Sequence, residues 1–180
     1  MKINNLKYIS IVALTLLIAS FAFAQKSAKT TYKVRAKGLK LIVTYQGKAH
    51  TLNTSEQIDA AKVTDTEILF TNRKDNFTYL VVDVIGQSKA KQDDRQCGAG
   101  TESNLIWIKL DAAWKVVDIK SVRYESCWST TTSEEGYKIK NNTLTINISD
   151  FHRDVDAIVS YNASEPEKGF IIKELAIEKQ

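Results

Sequence analysis

Metal ligands and nucleophile motifs are scarce in this chain, which limits the chemistry it can carry. The 180 residues include two cysteines and two histidines. A structural zinc site takes four such ligands held close together, and these four are scattered along the sequence. Neither a Gly-x-Ser-x-Gly nucleophile motif nor a Cys-x-x-Cys redox pair is present. The sequence therefore predicts no metal, no cofactor and no catalytic residue, and it favours a binding protein over an enzyme.

A strong charge of one sign is also missing. The formal net charge is +4, and Lys2 and Lys7 belong to the leader described below, which has no acidic residue, so the remainder carries +4 − 2 = +2. Such a chain has no field that would gather nucleic acid or an anionic membrane. The densest basic stretch, residues 26–40, is interpreted as a solvated segment and strand face. We expect no nucleic-acid partner.

The chain has one long apolar run, which lies near the N-terminus. Residues 1–24 combine a basic start, an apolar stretch shorter than the roughly 20 residues of a membrane span, and Ala22-Phe23-Ala24 as a cleavage site. We expect a signal peptide cleaved after Ala24, with an uncleaved anchor as the alternative. The mature chain is then periplasmic or secreted, with no stable membrane insertion.

The two cysteines, Cys97 and Cys127, both follow the leader. An even number of cysteines in an exported protein predicts a disulfide. The strands expected over residues 104–110 and 114–125 would form a hairpin, and its open end would bring the two cysteines together. A redox or nucleophilic thiol is the alternative, although neither histidine is near a cysteine in sequence.

Short segments with alternating apolar residues and frequent turn signals dominate the rest of the chain. They predict a mainly β fold, an antiparallel β-sandwich or barrel-like single domain over residues 32–180, after a flexible lead-in at 25–31. At most one short helix is expected, over residues 55–63. Residues 77–85 are apolar on nearly both faces, as is typical of a central strand.

The stretch around the first cysteine is the most unusual in composition. A loop pinned by a disulfide is organised before it binds, and binding residues are often carried on such loops. A tight turn that uses glycine for its backbone freedom is the plainer interpretation. The candidate binding residues in and around this loop are Arg95, Gly98, Gly100, Glu102 and Trp128, with Arg123 nearby.

Other polar and aromatic residues are interpreted more simply. Trp107 alternates with a leucine on a strand and is expected in the core, while Trp114 is ambiguous. Asp83 interrupts an apolar strand; its burial is left open, and a carboxylate buried there would need an arginine or a backbone donor as its partner. The remaining candidates for chemistry are a weak calcium site at Asp150, Asp154 and Asp156, and the histidines His50 and His152.

These observations predict an exported binding protein of the cell envelope that acts through the disulfide-pinned loop. Its ligand is expected to be a protein or a glycan, and one version is an inhibitor of a hydrolase. Two alternatives stay open. One is a hydrolase with an unrecognised carboxylate or histidine site, and the other is a structural component of an envelope assembly, which an open sheet edge would favour.

Overall fold

The computed structural model describes residues 31–89, 100–151 and 155–175. Within these ranges the protein is mainly β, with antiparallel sheets of three and nine strands that do not close into a barrel. The predicted fold class is confirmed, in its β-sandwich form. No helix in the described ranges is long and apolar enough to cross a membrane.

The small sheet is a meander of three strands joined by tight turns. Gly38 and Gly47 occupy the turns with φ of 63° and 76°, a backbone conformation that glycine adopts without steric cost. Leu41, Val43 and Leu52 point from this sheet into a core and are fully buried. The strands are β1 (Tyr32–Lys37), β2 (Lys40–Tyr45) and β3 (Lys48–Asn53).

The large sheet has the strand order β12-β11-β10-β8-β7-β6-β5-β4, with β9 paired to β10. All its pairings are antiparallel. A 3-10 helix at Pro166–Lys168 precedes the last strand. The strands are β4 (Lys62–Lys74), β5 (Phe77–Gln87), β6 (Thr101–Leu110), β7 (Val116–Ser126), β8 (Thr131–Thr132), β9 (Tyr137–Lys140), β10 (Thr143–Asp150), β11 (Val155–Asn162) and β12 (Ile171–Leu175).

Two hydrophobic cores lie on opposite faces of β5 and β6. One face packs against the small sheet, and the other packs against β10 and β11 of the same large sheet. The large sheet therefore folds over itself, and its two parts are joined at β8, which pairs with the ends of both β7 and β10. We call this junction the corner. Because β5 is buried on both faces, its apolar sequence matches its place in the centre.

The predicted helix over residues 55–63 is wrong. Residues 54–61 form turns and irregular chain that lead directly into β4. Ile58 and Ala60 are the residues buried in the core, two positions apart and not the three or four of a helical face. Thr54 fixes the start of the segment, because its Oγ1 donates a hydrogen bond to Leu39 O at 2.7 Å.

Candidate functional site

The described candidate residues of the predicted loop, Gly100, Glu102 and Trp128, lie at one end of β6 and β7. The register pairs Glu102 with Ser126, so Gly100 and Cys127 follow as neighbours. A Cβ added to Gly100 would lie 2.7 Å from the Cβ of Cys127, which means that only glycine allows this close approach. Arg95, Cys97 and Gly98 lie outside the described residues, so the Cys97–Cys127 disulfide stays a prediction.

Glu102 is a buried strand residue and not part of an exposed loop, which corrects its expected position. Its side chain is 1% exposed, and Ser88 Oγ donates a hydrogen bond to Oε1 at 2.8 Å. Oε2 has no hydrogen-bond partner and lies 4.0 Å from Arg123 Nε, which has none either. Glu102 is thus placed to orient Arg123 and not to contact a ligand directly.

Arg123 belongs to a small ion-pair network above Glu102. Its Nη2 lies 3.2 Å from Asp59 Oδ2, and Lys89 Nζ lies 2.6 Å from Asp59 Oδ1. The hydrogen bond from Lys89, with a smaller contribution from Arg123, lowers the pKa of Asp59 below its usual value. Asp59 is therefore ionised at neutral pH. It escaped attention in the sequence because it lay inside the expected helix.

An open groove of about 540 Å³ runs beside this network. One wall is polar and comes from residues 56–59 and the adjoining ends of β6 and β7, and the other is largely apolar and comes from β10, β11 and β12. Such a volume is within the usual range of ligand sites. The lining residues are Glu56, Gln57, Asp59, Asn104, Ser121, Val122, Arg123, Ser129, Thr131, Ile148, Asp150, Ala157, Val159 and Ile172.

Asn104 is the most informative residue of the groove. It is 2% exposed, and its Nδ2 has no hydrogen-bond partner in the part of the chain that the structure describes. A buried amide donor without an acceptor costs about 1–3 kcal/mol, and the residue that carries this donor lines the groove. The sequence marked neither Asn104 nor the groove, because the lining residues come from segments far apart in the chain.

Trp128, the leading aromatic candidate, is partly buried in the turn that follows β7. It does not line the groove. Trp107 is in the core as predicted, 1% exposed, and its Nε1 donates to Pro166 O at 2.9 Å. Trp114 stacks on His50 with 4.2 Å between ring centroids, and Tyr45 lies 5.2 Å away. Trp114 thus completes the end of the core under the small sheet.

Asp83 is buried, 7% exposed, and its partners among the described residues are not arginine. Tyr124 Oη donates to Asp83 Oδ1 at 2.9 Å, and Tyr137 and the backbone N–H of Val84 also donate to it. Burial raises the pKa of Asp83, and the three donors oppose that shift only in part. The expected backbone donor is confirmed, and tyrosine hydroxyls replace the expected arginine.

The hydrolase candidates that the structure describes do not line either of two cavities. Asp83 and Asp156 line neither the groove nor a second cavity of about 230 Å³ on the outer surface of β10. His152 and Asp154 lie outside the described residues. In the described ranges no group of three or more histidine, cysteine, aspartate or glutamate side chains could hold a metal ion.

Comparison with known protein families, with curated proteins and with solved structures finds no match for this chain. The function must therefore be argued from the site alone.

Proposed function

We propose that this protein is an exported binding protein of the cell envelope and that the groove beside β7 is its binding site. The proposed export depends on residues 1–24, which have the pattern of a cleaved signal peptide. The binding role depends chiefly on one observation, the buried and unpaired Nδ2 of Asn104 in the lining of the groove. An acceptor oxygen of a bound ligand would satisfy this donor.

A protein ligand fits the groove better than a glycan does. Sugar-binding sites commonly stack a ring of the sugar on an aromatic side chain, and no aromatic residue is among the described residues that line the groove. Its walls combine carboxylates with Val122, Ile148 and Val159. Mixed polar and apolar walls of this kind suit a polypeptide that offers both classes of side chain.

Photo-crosslinking tests this assignment of the site. A photo-reactive amino acid is placed at position 121, in the groove, and in a separate protein at position 145, on the outer surface of β10. We expect an adduct with an envelope protein at position 121 and not at position 145. The captured protein, once purified, should bind the unmodified chain and lose affinity for the Asn104→Leu variant.

The outcome at the two positions decides the proposal. Identical adducts at positions 121 and 145, or a purified partner that binds Asn104→Leu with full affinity, would exclude the groove as the site. A circular dichroism spectrum and an unfolding midpoint for each variant establish that the fold is retained.

A second candidate function, a subunit of an envelope assembly, is favoured by the exposed edge strand β12. Ile171 and Ile172 are 52% and 56% exposed, and β12 pairs only with β11 among the described strands. Exposed apolar edges of this kind are templates for pairing with another chain. Sedimentation velocity of the mature chain and of Ile171→Lys tests it, because a self-assembling wild type should become smaller in the variant, and Ile171 is not among the residues that line the groove.

A further inference from the structure

The outer edge of β7 is open along most of its length. On one side β7 pairs with β6 from Val116 to Ser126, and on the other only Ser126 pairs, with Thr131 of β8. No other backbone hydrogen bond to residues 116–125 is formed from the described parts of the chain. Alternate residues of such an edge offer both an N–H and a C=O to an added antiparallel strand.

The groove follows this open edge. Ser121, Val122 and Arg123 are consecutive residues of β7, and all three line it. Consecutive side chains of a strand point to opposite faces, so the groove extends around the edge and contacts both sides of β7. The backbone between these residues is therefore within the space that a ligand would occupy.

The two walls of the groove differ in charge and polarity. On the polar wall, the described lining residues Glu56 and Asp59 give two carboxylates against the guanidinium of Arg123, a formal charge of −2 + 1 = −1. Glu102 and Lys89 also contact this network. Their charges are opposite, so including them leaves the formal charge of the polar wall unchanged. A ligand that carries positive charge on the polar side complements this wall.

The opposite wall is largely apolar, and among its described residues only Asp150, at the end of β10, carries a charge. Ile148, Ala157, Val159 and Ile172 contribute to it from β10, β11 and β12. A strand added along β7 would present successive side chains to the two walls in turn, because the side chains of a strand alternate with a period of two. One set would contact the carboxylates and the other the apolar wall, while Asn104 Nδ2 could donate to a ligand carbonyl.

We propose that the ligand is an extended peptide in which basic and apolar residues alternate, and that it binds as an additional strand on the outer edge of β7. This inference depends on the proposed function, since it takes the groove as the binding site. Main-chain hydrogen bonds then supply much of the affinity, and the two walls supply the specificity.

A synthetic peptide series tests the inference on the mature chain. The first probe is a capped hexapeptide of alternating lysine and valine, about 20 Å long when extended. Three control peptides change one property each. The first replaces lysine with glutamate and reverses the charge, and the second places the same residues in two blocks and removes the alternation. In the third, alternate amides are N-methylated, which removes main-chain hydrogen bonds. We expect each control to bind about tenfold or more weakly, since the charge, the alternation and the main-chain hydrogen bonds each contribute.

Amide hydrogen exchange locates the bound peptide. Variants that remove carboxylates test whether the charge of the polar wall contributes to binding. The alternating peptide should slow exchange in β7 and leave β9 unchanged. Glu56→Gln combined with Asp59→Asn should weaken the peptide several-fold, as exposed charge pairs do. The matched control is Glu134→Gln combined with Glu135→Gln, a pair of carboxylates at the other cavity, which should have no effect.

Each contrary result has a definite meaning. Equal binding of the glutamate peptide would overturn the charge assignment, and equal binding of the N-methylated peptide would overturn strand addition. A stable dimer that the alternating peptide does not dissociate would assign the edge to a second copy and overturn the peptide ligand. If no peptide binds while position 121 still crosslinks a partner lost by Asn104→Leu, this inference fails and the proposed function stands.

Discussion

At the scale of single residues, Asp83 shows how a buried carboxylate can be retained without a basic partner. Tyr124, Tyr137 and the Val84 N–H donate to it, yet burial dominates and its pKa is raised. A carboxylate whose pKa is higher in the folded state than in the unfolded state stabilises the fold fully below the unfolded value. That contribution is lost as the pH rises through the raised pKa.

Replacement of Asp83 by asparagine should remove this pH dependence. From pH 4 upward the unfolding free energy of the wild type should fall relative to that of Asp83→Asn, because only the wild type must ionise a buried group. Urea unfolding of both proteins between pH 4 and 8 measures the difference. Glu67, exposed on β4 opposite Asp83, contributes to the raised pKa, so in Glu67→Gln the fall should be smaller and should end at lower pH. If the unfolding free energies of the wild type and Asp83→Asn differ by the same amount at every pH from 4 to 8, the raised pKa of Asp83 is contradicted.

Gly100 is constrained by space and not by its backbone angles. An added Cβ would lie 2.7 Å from Cys127 Cβ and 3.1 Å from Ser88 Oγ. Gly100→Ala should therefore destabilise the fold by about 1–3 kcal/mol, the usual cost of forcing an atom into a packed region. Gly38→Ala is the comparison, because its φ is positive and its surroundings are open, so it measures backbone strain alone, about 1–2 kcal/mol. Chemical denaturation measures both, and an unchanged stability for Gly100→Ala would refute the packing argument.

At the scale of elements, the irregular segment between β3 and β4 contributes to the core despite having no regular structure. Ile58 is 2% exposed and packs with Leu41, Leu80 and other residues of the first core. Ile58→Ala should cost about 2–5 kcal/mol, as for other large-to-small changes in a core. The exposed neighbour provides the control, since Glu56→Ala should change stability by less than about 0.5 kcal/mol. Similar small effects for both would show that this segment is not part of the folding core.

The same segment shows where prediction from the sequence ends. Strand β10 was predictable because Leu144, Ile146 and Ile148 alternate with polar residues, and that period is set by the strand itself. The structure of residues 54–61 was not predictable, because their short pattern of polar and apolar residues also fits a helix. Contacts with the core decide between a helix and irregular chain. The position of the candidate site near Gly100 and Cys127 could be predicted from the pairing of the β6–β7 hairpin. The groove could not be predicted, because it depends on how the two parts of the large sheet diverge.

At the scale of the whole molecule, the corner is a narrow connection between two packed layers. Among the described residues three pairs join the layers there, Ser126 with Thr131, Ser149 with Thr132 and Asp150 with Thr131. Cys127 is the first residue after β7 and lies directly at this connection. A crosslink from Cys127 would therefore constrain the end of β7 where the groove begins.

The predicted Cys97–Cys127 disulfide should consequently affect both stability and binding. A loop of about 30 residues closed by a disulfide gains roughly 3–4 kcal/mol from the restricted unfolded state, so the Cys97→Ser and Cys127→Ser double variant should unfold at lower denaturant by that amount. Because the corner would also be less constrained, amide exchange at Thr131 and Ser149 should increase more than exchange in the small sheet. Mass spectrometry of the oxidised chain, before and after reduction, establishes the pairing. Two free thiols in the mature exported protein would exclude the crosslink, and the corner would then be held by its three residue pairs and the second core alone.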